Sequence, residues 1–186
     1  MTADSLENEL FELIKSSYPN IEIKVVDEAD GDRHLYFRDE KFALLFPMQR
    51  YHYLIHLIPV EFFEKYLSNT IWHELAPGEK VDDLDYHDEE AVESIKETIL
   101  AIIETRTDFV KRLDGLFVEK NVVCFGDFRH SKQVLSDLRF TQEEQFDIFH
   151  VFMSEGGYCD CEILYNTFEE TEYSRKYWAT RENNHS

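Results

Sequence analysis

The chain has 186 residues, of which 43% are hydrophobic and 15% aromatic, and a formal net charge of −20 from 39 acidic and 19 basic side chains. This apolar content suffices for a folded core and argues against a disordered chain. The acidic excess argues against nucleic-acid binding, which needs clustered Lys and Arg, and no apolar run approaches the roughly 20 residues of a membrane span. Because the acidic N-terminus also lacks the basic start of a secretory signal, we expect a cytoplasmic protein that binds neither nucleic acid nor membranes.

Residues 1–115 predict an α+β domain. An amphipathic helix is expected over 4–17, with Asp4 as its N-cap. Four strand-like runs follow, at 21–25, 35–37, 42–46 and 51–58. Further helices are expected from Pro59 towards Leu75 and from 88 to 113. This order predicts an antiparallel sheet of about four strands that is covered by helices.

Residues 116–186 predict a small C-terminal unit of helices and short strands. The run 122–125 is strand-like, and we interpret its Cys124 as a small buried hydrophobic residue. Helices are predicted over 131–138 and from the capping box at Thr141 to 154. A turn and a short strand are expected over 158–166. A unit of about 70 residues is expected to need packing against the first domain.

The most distinctive string of the sequence is Gly-Gly-Tyr-Cys-Asp-Cys-Glu at 156–162. On a flat strand its two thiols, Cys159 and Cys161, would lie about 7 Å apart, which is too far for two ligands of one tetrahedral zinc. They could share an ion only if the chain curls after the two glycines. His130 and His150 are the nearest candidates for a further ligand. The alternative is a buried structural role for the cysteines without a metal.

The same string, continued to Asn166, resembles the signature of the domain of unknown function 2695 family, which is found in bacterial proteins. The family pattern also has a Cys-Asp-His element upstream, where this chain has Phe128-Arg129-His130 and only the histidine agrees. The resemblance implies a metal site, with zinc as the candidate cofactor, at His130, Cys159 and Cys161. It also implies that this chain has lost one ligand. The first 115 residues resemble no family that we identify.

A second pair of candidate ligands is His52 and His56. In a strand over 51–58 they would lie about 13 Å apart, which excludes one shared ion. In a helix their i, i+4 spacing could chelate a metal. Because the segment is rich in Tyr and Ile, we predict a strand and no metal site.

No nucleophile motif or glycine-rich phosphate loop is present, and three functions remain open. The favoured hypothesis is a protein-interaction module of adaptor, chaperone or immunity type, whose acidic surface binds a basic protein partner. The second is a small enzyme with a site at the junction of the two units, using His130, Cys159 or nearby acids. The third is a zinc-stabilised structural module. The sequence does not indicate an oligomeric state.

Overall fold

The computed structural model describes residues 1–29, 31–84, 88–168 and 170–184. Its contacts divide the chain into two compact units, 1–86 and 87–186. This division differs from the predicted boundary at 115, because the long helical segment after residue 88 packs within the second unit. No helix within the described ranges is long and apolar enough to cross a membrane.

The first unit begins with a helix whose cap differs from the prediction. Helix α1 (Ala3–Ile14) starts at Ala3 because the side chain of Thr2 accepts a hydrogen bond from the backbone N–H of Ser5, whereas Asp4 lies in the first turn. The elements are α1 (Ala3–Ile14), β1 (Glu22–Asp27), β2 (Arg33–Arg38), a 3-10 segment (Glu40–Leu44), α2 (Pro47–Ile55), α3 (Val60–Tyr66), β3 (Thr70–Leu75) and a second 3-10 segment (Val81–Asp83).

The described strands form one mixed sheet in the order β1-β2-β3. β1 pairs with β2 in antiparallel register, with Val25 opposite Leu35, and β3 pairs with β2 in parallel register, with Trp72 opposite Leu35. The α+β class is therefore confirmed, but the antiparallel sheet of about four strands is wrong. The core combines the inward side of the sheet with α1, and its fully buried members include Leu6, Leu10, Ile14, Leu35 and Phe37.

Two of the predicted strands are helical. The run 42–46 lies mostly in the first 3-10 segment, and 51–58 lies mostly in α2. Pro47 at the first position suits a helix start, and the side chain of Gln49 accepts a hydrogen bond from Phe46 N–H at 2.8 Å. Tertiary packing of Leu54, which is fully buried, outweighs the strand preference of the neighbouring Tyr and Ile residues. The missed strand is β3, which had been predicted as the end of a helix.

Within the described ranges, the second unit contains helices and loops but no strand, so its predicted short strands are wrong. The predicted helix over 88–113 is interrupted at Thr107, which is extended and whose hydroxyl accepts a hydrogen bond from Phe109 N–H. Its described helices are α4 (Glu89–Arg106), α5 (Phe109–Val118), α6 (Arg129–Asp137), α7 (Gln142–Ser154), α8 (Asp160–Glu162), which continues as a π-helical turn (Ile163–Thr167), and α9 (Glu172–Asn184). Of these, α4 packs on α7, and α5 packs on α6 and α9.

Candidate metal centre

Three cysteine side chains from two segments of the second unit lie together. Cys124 belongs to the loop after α5, and Cys159 and Cys161 lie at the start of α8. Their three Sγ atoms all lie within 4.8 Å of one another, and those of Cys159 and Cys161 are 3.3 Å apart. Zn–S bonds of about 2.3 Å in a tetrahedral site separate two sulfurs by about 3.8 Å. The spacing of this thiol cluster (Cys124, Cys159 and Cys161) is therefore compatible with one shared ion.

The chain curls at the Cys-Asp-Cys string instead of running as a flat strand. Cys159 is the extended N-cap residue of α8, and the helix begins at the next residue, so Cys161 turns back beside Cys159. Gly157 permits the preceding turn, because a Cβ at this position would lie 2.9 Å from Thr167 Oγ1 and 3.1 Å from the carbonyl oxygen of Phe152. The chain therefore curls after the two glycines, as an ion shared by Cys159 and Cys161 requires.

The third thiol, Cys124, is the ligand that sequence reasoning missed. Its neighbours Val123 and Phe125 are 65% and 58% exposed, so the apolar run around it is not a buried strand. Cys124 itself is half-buried and points its sulfur at the other two cysteines. The number of cysteines was the one available signal: the chain has three, and all three meet in this cluster.

Asp160, between the two cysteines, holds the site together. Its carboxylate is fully buried and accepts hydrogen bonds from His130 N–H at 3.0 Å, Ser131 N–H at 2.8 Å and the Ser131 hydroxyl at 2.6 Å. Its own N–H donates to the carbonyl oxygen of Asp127, in the loop that carries Cys124. Burial raises the pKa of Asp160, and the hydrogen bonds from Ser131 and His130 oppose that rise. These bonds fix both thiol-bearing segments on the N-terminus of α6.

The two histidines proposed as further ligands do not join the thiol cluster. The Nε2 atom of His130 is 3.4 Å from the carbonyl oxygen of Val123, and its ring meets Phe117 edge to face. His150 is buried in α7, and its Nδ1 atom lies 2.8 Å from the carbonyl oxygen of Phe146. Neither imidazole is among the metal-ligating groups that the described residues bring together.

The pKa values of the three thiols are shifted in different directions. The pKa of Cys124 is lowered, because the thiols of Cys159 and then Cys161 hydrogen-bond to its sulfur. The pKa values of Cys159 and Cys161 are raised, first by the same interaction with Cys124 and further by burial. A bound cation would stabilise the thiolate form of all three cysteines.

His52 and His56 are close, contrary to the prediction. Both lie at the end of α2, with ring centroids 4.2 Å apart, and Nδ1 of His56 lies 2.6 Å from the carbonyl oxygen of His52. The predicted separation of about 13 Å is wrong because the segment is helical. No third ligand joins this pair within the described ranges, where only the thiol cluster unites three potential ligands.

The comparison with protein families concerns the segment that contains this site. Residues 110–166 match the family described as protein of unknown function (DUF2695). The predicted C-terminal resemblance is thereby confirmed. The DUF2695 segment, less than a third of the chain, contains His130 and all three members of the thiol cluster. No curated protein and no solved structure matches the chain.

Proposed function

We propose that the second unit is a zinc-binding module in which Cys124, Cys159 and Cys161 hold one Zn²⁺. The observation that carries this proposal is the convergence of three Sγ atoms within 4.8 Å. Thiolates are soft ligands that select Zn²⁺ or Cu⁺ over Mg²⁺ and Ca²⁺, and the sulfur separations are compatible with the tetrahedral geometry that zinc adopts.

The metal would stabilise the fold of this unit. One ligand lies before α6 and the other two lie after α7, so a shared ion joins segments that two helices separate along the chain. Because two helices separate Cys124 from Cys159 and Cys161 along the sequence, the three thiols do not converge in an unfolded chain, and the free energy of zinc binding adds to the free energy of folding. The hydrogen bonds of Asp160 preorganise the thiols and reduce the ordering that binding requires.

The test is the metal content of untagged protein, purified without a metal-affinity column and measured by elemental mass spectrometry. We expect about one zinc per chain in the wild type and loss of that zinc in Cys124→Ser. A chelator should lower the melting temperature of the wild type to that of the variant. Val134→Ala is the matched control, because it removes buried packing in α6 without touching a thiol. It should retain zinc although it is less stable.

Two results would contradict the zinc module. One is wild-type protein that contains no transition metal and gains no thermal stability when zinc is added. The other is equal zinc in the wild type and Cys124→Ser, which would place the metal elsewhere. If the wild type contained copper instead of zinc, and Cys124→Ser lost that copper, the thiol site would be confirmed with a different ion.

A second candidate function rests on the charge of the chain. With a net charge of −20, the surface favours docking of a basic protein, as an adaptor, chaperone or immunity-type protein would do. Such binding should weaken steeply as salt rises, because exposed charges are screened beyond about 8–10 Å at 0.1–0.15 M salt. A pull-down from lysate at low and high salt tests it, and a partner retained equally at both would oppose electrostatic docking.

A further inference from the structure

The number of protein ligands at the thiol cluster has a consequence for its chemistry. Given the zinc module proposed above, we infer that its ion keeps one coordination position open, and that this position takes a small-molecule thiol.

Within the described part of the chain, the thiol cluster offers one donor fewer than a closed zinc site has. A tetrahedral zinc needs four ligands, and structural sites supply all four from the protein, whereas sites with three protein ligands keep the fourth for water or substrate. Among the described residues, the thiol cluster contains three sulfurs and no carboxylate or imidazole. His130, the nearest candidate from the sequence, directs Nε2 towards the carbonyl oxygen of Val123 instead.

Two of the three cysteines lie partly at the protein surface. Cys159 is buried, but Cys124 and Cys161 are only half-buried, so part of each of these two residues lies at the protein surface. Val123 and Phe125, which are strongly exposed, flank Cys124 and give its loop an apolar surface. The guanidinium of Arg129 lies 3.9 Å from the centre of the Phe125 ring. A small organic molecule can therefore approach the ion from the exposed side and contact apolar side chains there.

Three thiolates donate more negative charge to a zinc ion than neutral ligands do. They place three negative charges around a dication, so a bound water is a weaker acid than in a site with three neutral imidazoles, where its pKa is about 7. The site is therefore poorly suited to forming hydroxide for hydrolysis. It suits a soft donor. A thiol R–SH would displace the water, lose its proton to solvent and remain as R–S⁻ on the ion, with no change of oxidation state.

The test uses the full-length chain with Co²⁺ in place of Zn²⁺, because sulfur-to-cobalt charge-transfer absorption reports the number of bound thiolates. The probe is 2-mercaptoethanol, and ethylene glycol is the matched oxygen control. We expect saturable growth of the charge-transfer band to about 1.3-fold, as three sulfur ligands become four, and no change with ethylene glycol. The cobalt should stay with the protein on gel filtration.

Three results would overturn the open position. A cobalt spectrum that 2-mercaptoethanol does not alter would show that a protein group fills the fourth site. A response that appears only in His130→Gln would identify His130 as that group. Release of cobalt by the thiol would show competition for the ion instead of coordination at a free position. By contrast, wild-type protein that binds no cobalt at all would refute the zinc module itself, so the two failures are distinguishable.

Discussion

The hydroxyl of Ser131 donates a 2.6 Å hydrogen bond to the buried carboxylate of Asp160, and this contact joins the Cys-Asp-Cys string to the start of α6. The same carboxylate accepts the backbone N–H groups of His130 and Ser131, which a helix N-terminus leaves without intrahelical partners. Asp160 therefore acts as a remote cap of α6 and as a positioning residue for the thiols on either side of it.

Replacing Asp160 by Asn tests this double role. An amide keeps one accepting oxygen but places an NH₂ group against N–H donors, so we expect a loss of about 1–3 kcal/mol in the stability of the second unit. Zinc affinity should fall roughly 10- to 100-fold, as for other residues that orient metal ligands. Chemical denaturation and competition with a chromogenic chelator measure the two effects. Ser131→Ala, which leaves both N–H bonds in place, should do less harm, and equal damage from both changes would contradict the remote cap.

A matched pair of glycine substitutions tests the turn before the cysteines. In Gly157→Ala the new Cβ would meet Thr167 Oγ1 at 2.9 Å and the Phe152 carbonyl oxygen at 3.1 Å, so we expect a loss of roughly 1–3 kcal/mol and weaker zinc binding. Gly115→Ala lies within α5, where the nearest atoms, 3.9 Å away, belong to the side chain of Glu119. It should raise stability by about 0.5–1 kcal/mol.

Thermal melts of both glycine variants, with zinc and with chelator, give the comparison. A rise in melting temperature for Gly157→Ala, like the rise expected for Gly115→Ala, would show that close packing does not restrict position 157.

The ion pair of Arg50 and Glu79 should be sensitive to removal of one partner. The side chain of Arg50 is only 6% exposed, lies 2.5 Å from a Glu79 oxygen and also donates to the carbonyl oxygen of Glu74. Burial alone would raise the pKa of Glu79, but hydrogen bonds from Arg50 and the Ala76 N–H lower it. Glu79→Gln leaves a buried cation without its counter-ion, and we expect a loss of about 3–5 kcal/mol in the first unit.

Replacing both members of this pair, as Arg50→Met with Glu79→Leu, should cost clearly less than Glu79→Gln alone, because no buried charge remains. Urea denaturation of the three proteins is the measurement. A double variant that is as unstable as the single one would show that hydrogen bonding to Glu74 dominates, and not the unpaired charge.

The stability of the first unit should depend on pH through His52. Its pKa is lowered to about 4 by burial and, to a lesser extent, by the charge of His56, against about 6.5 in an unfolded chain. Between these values the unfolded chain binds a proton that the native state does not. Stability is therefore complete above about pH 6.5 and falls as the pH decreases towards 4.

The experiment is denaturation between pH 4 and 8 followed by Trp72 fluorescence in a Trp178→Phe background, so that the signal reports the first unit. His52→Gln should flatten the pH profile only in part. Some slope should remain because the pKa of His73 is also lowered, first by burial and then by His34. His56→Gln should keep most of the slope, since burial of His52 is the larger cause. A profile unchanged in His52→Gln would refute the assignment.

Prediction from sequence succeeded where a local pattern decides the structure. The capping box at Thr141 predicted the start of α7, because its two hydrogen bonds lie within four residues. The Thr141 hydroxyl accepts from the backbone N–H of Glu144, and the Glu144 carboxylate accepts from the backbone N–H of Thr141. The alternation around 21–25 predicted β1 for a similar reason. The segment 51–58 was predicted wrongly because its Tyr and Ile residues suit a strand, whereas the burial of Leu54 and Arg50 against distant residues decided for a helix.

By itself the sequence determined the α+β class, the strong negative charge and the candidate status of Cys159 and Cys161, since these depend on composition and on neighbouring residues. Only the tertiary structure decided that β3 joins the sheet in parallel, that the Cys-Asp-Cys string curls, and that Cys124 completes the thiol cluster. The physical reason is distance along the chain: Cys124 meets the other cysteines through contacts of Asp160 with Asp127 and with the start of α6, and no local pattern encodes such contacts.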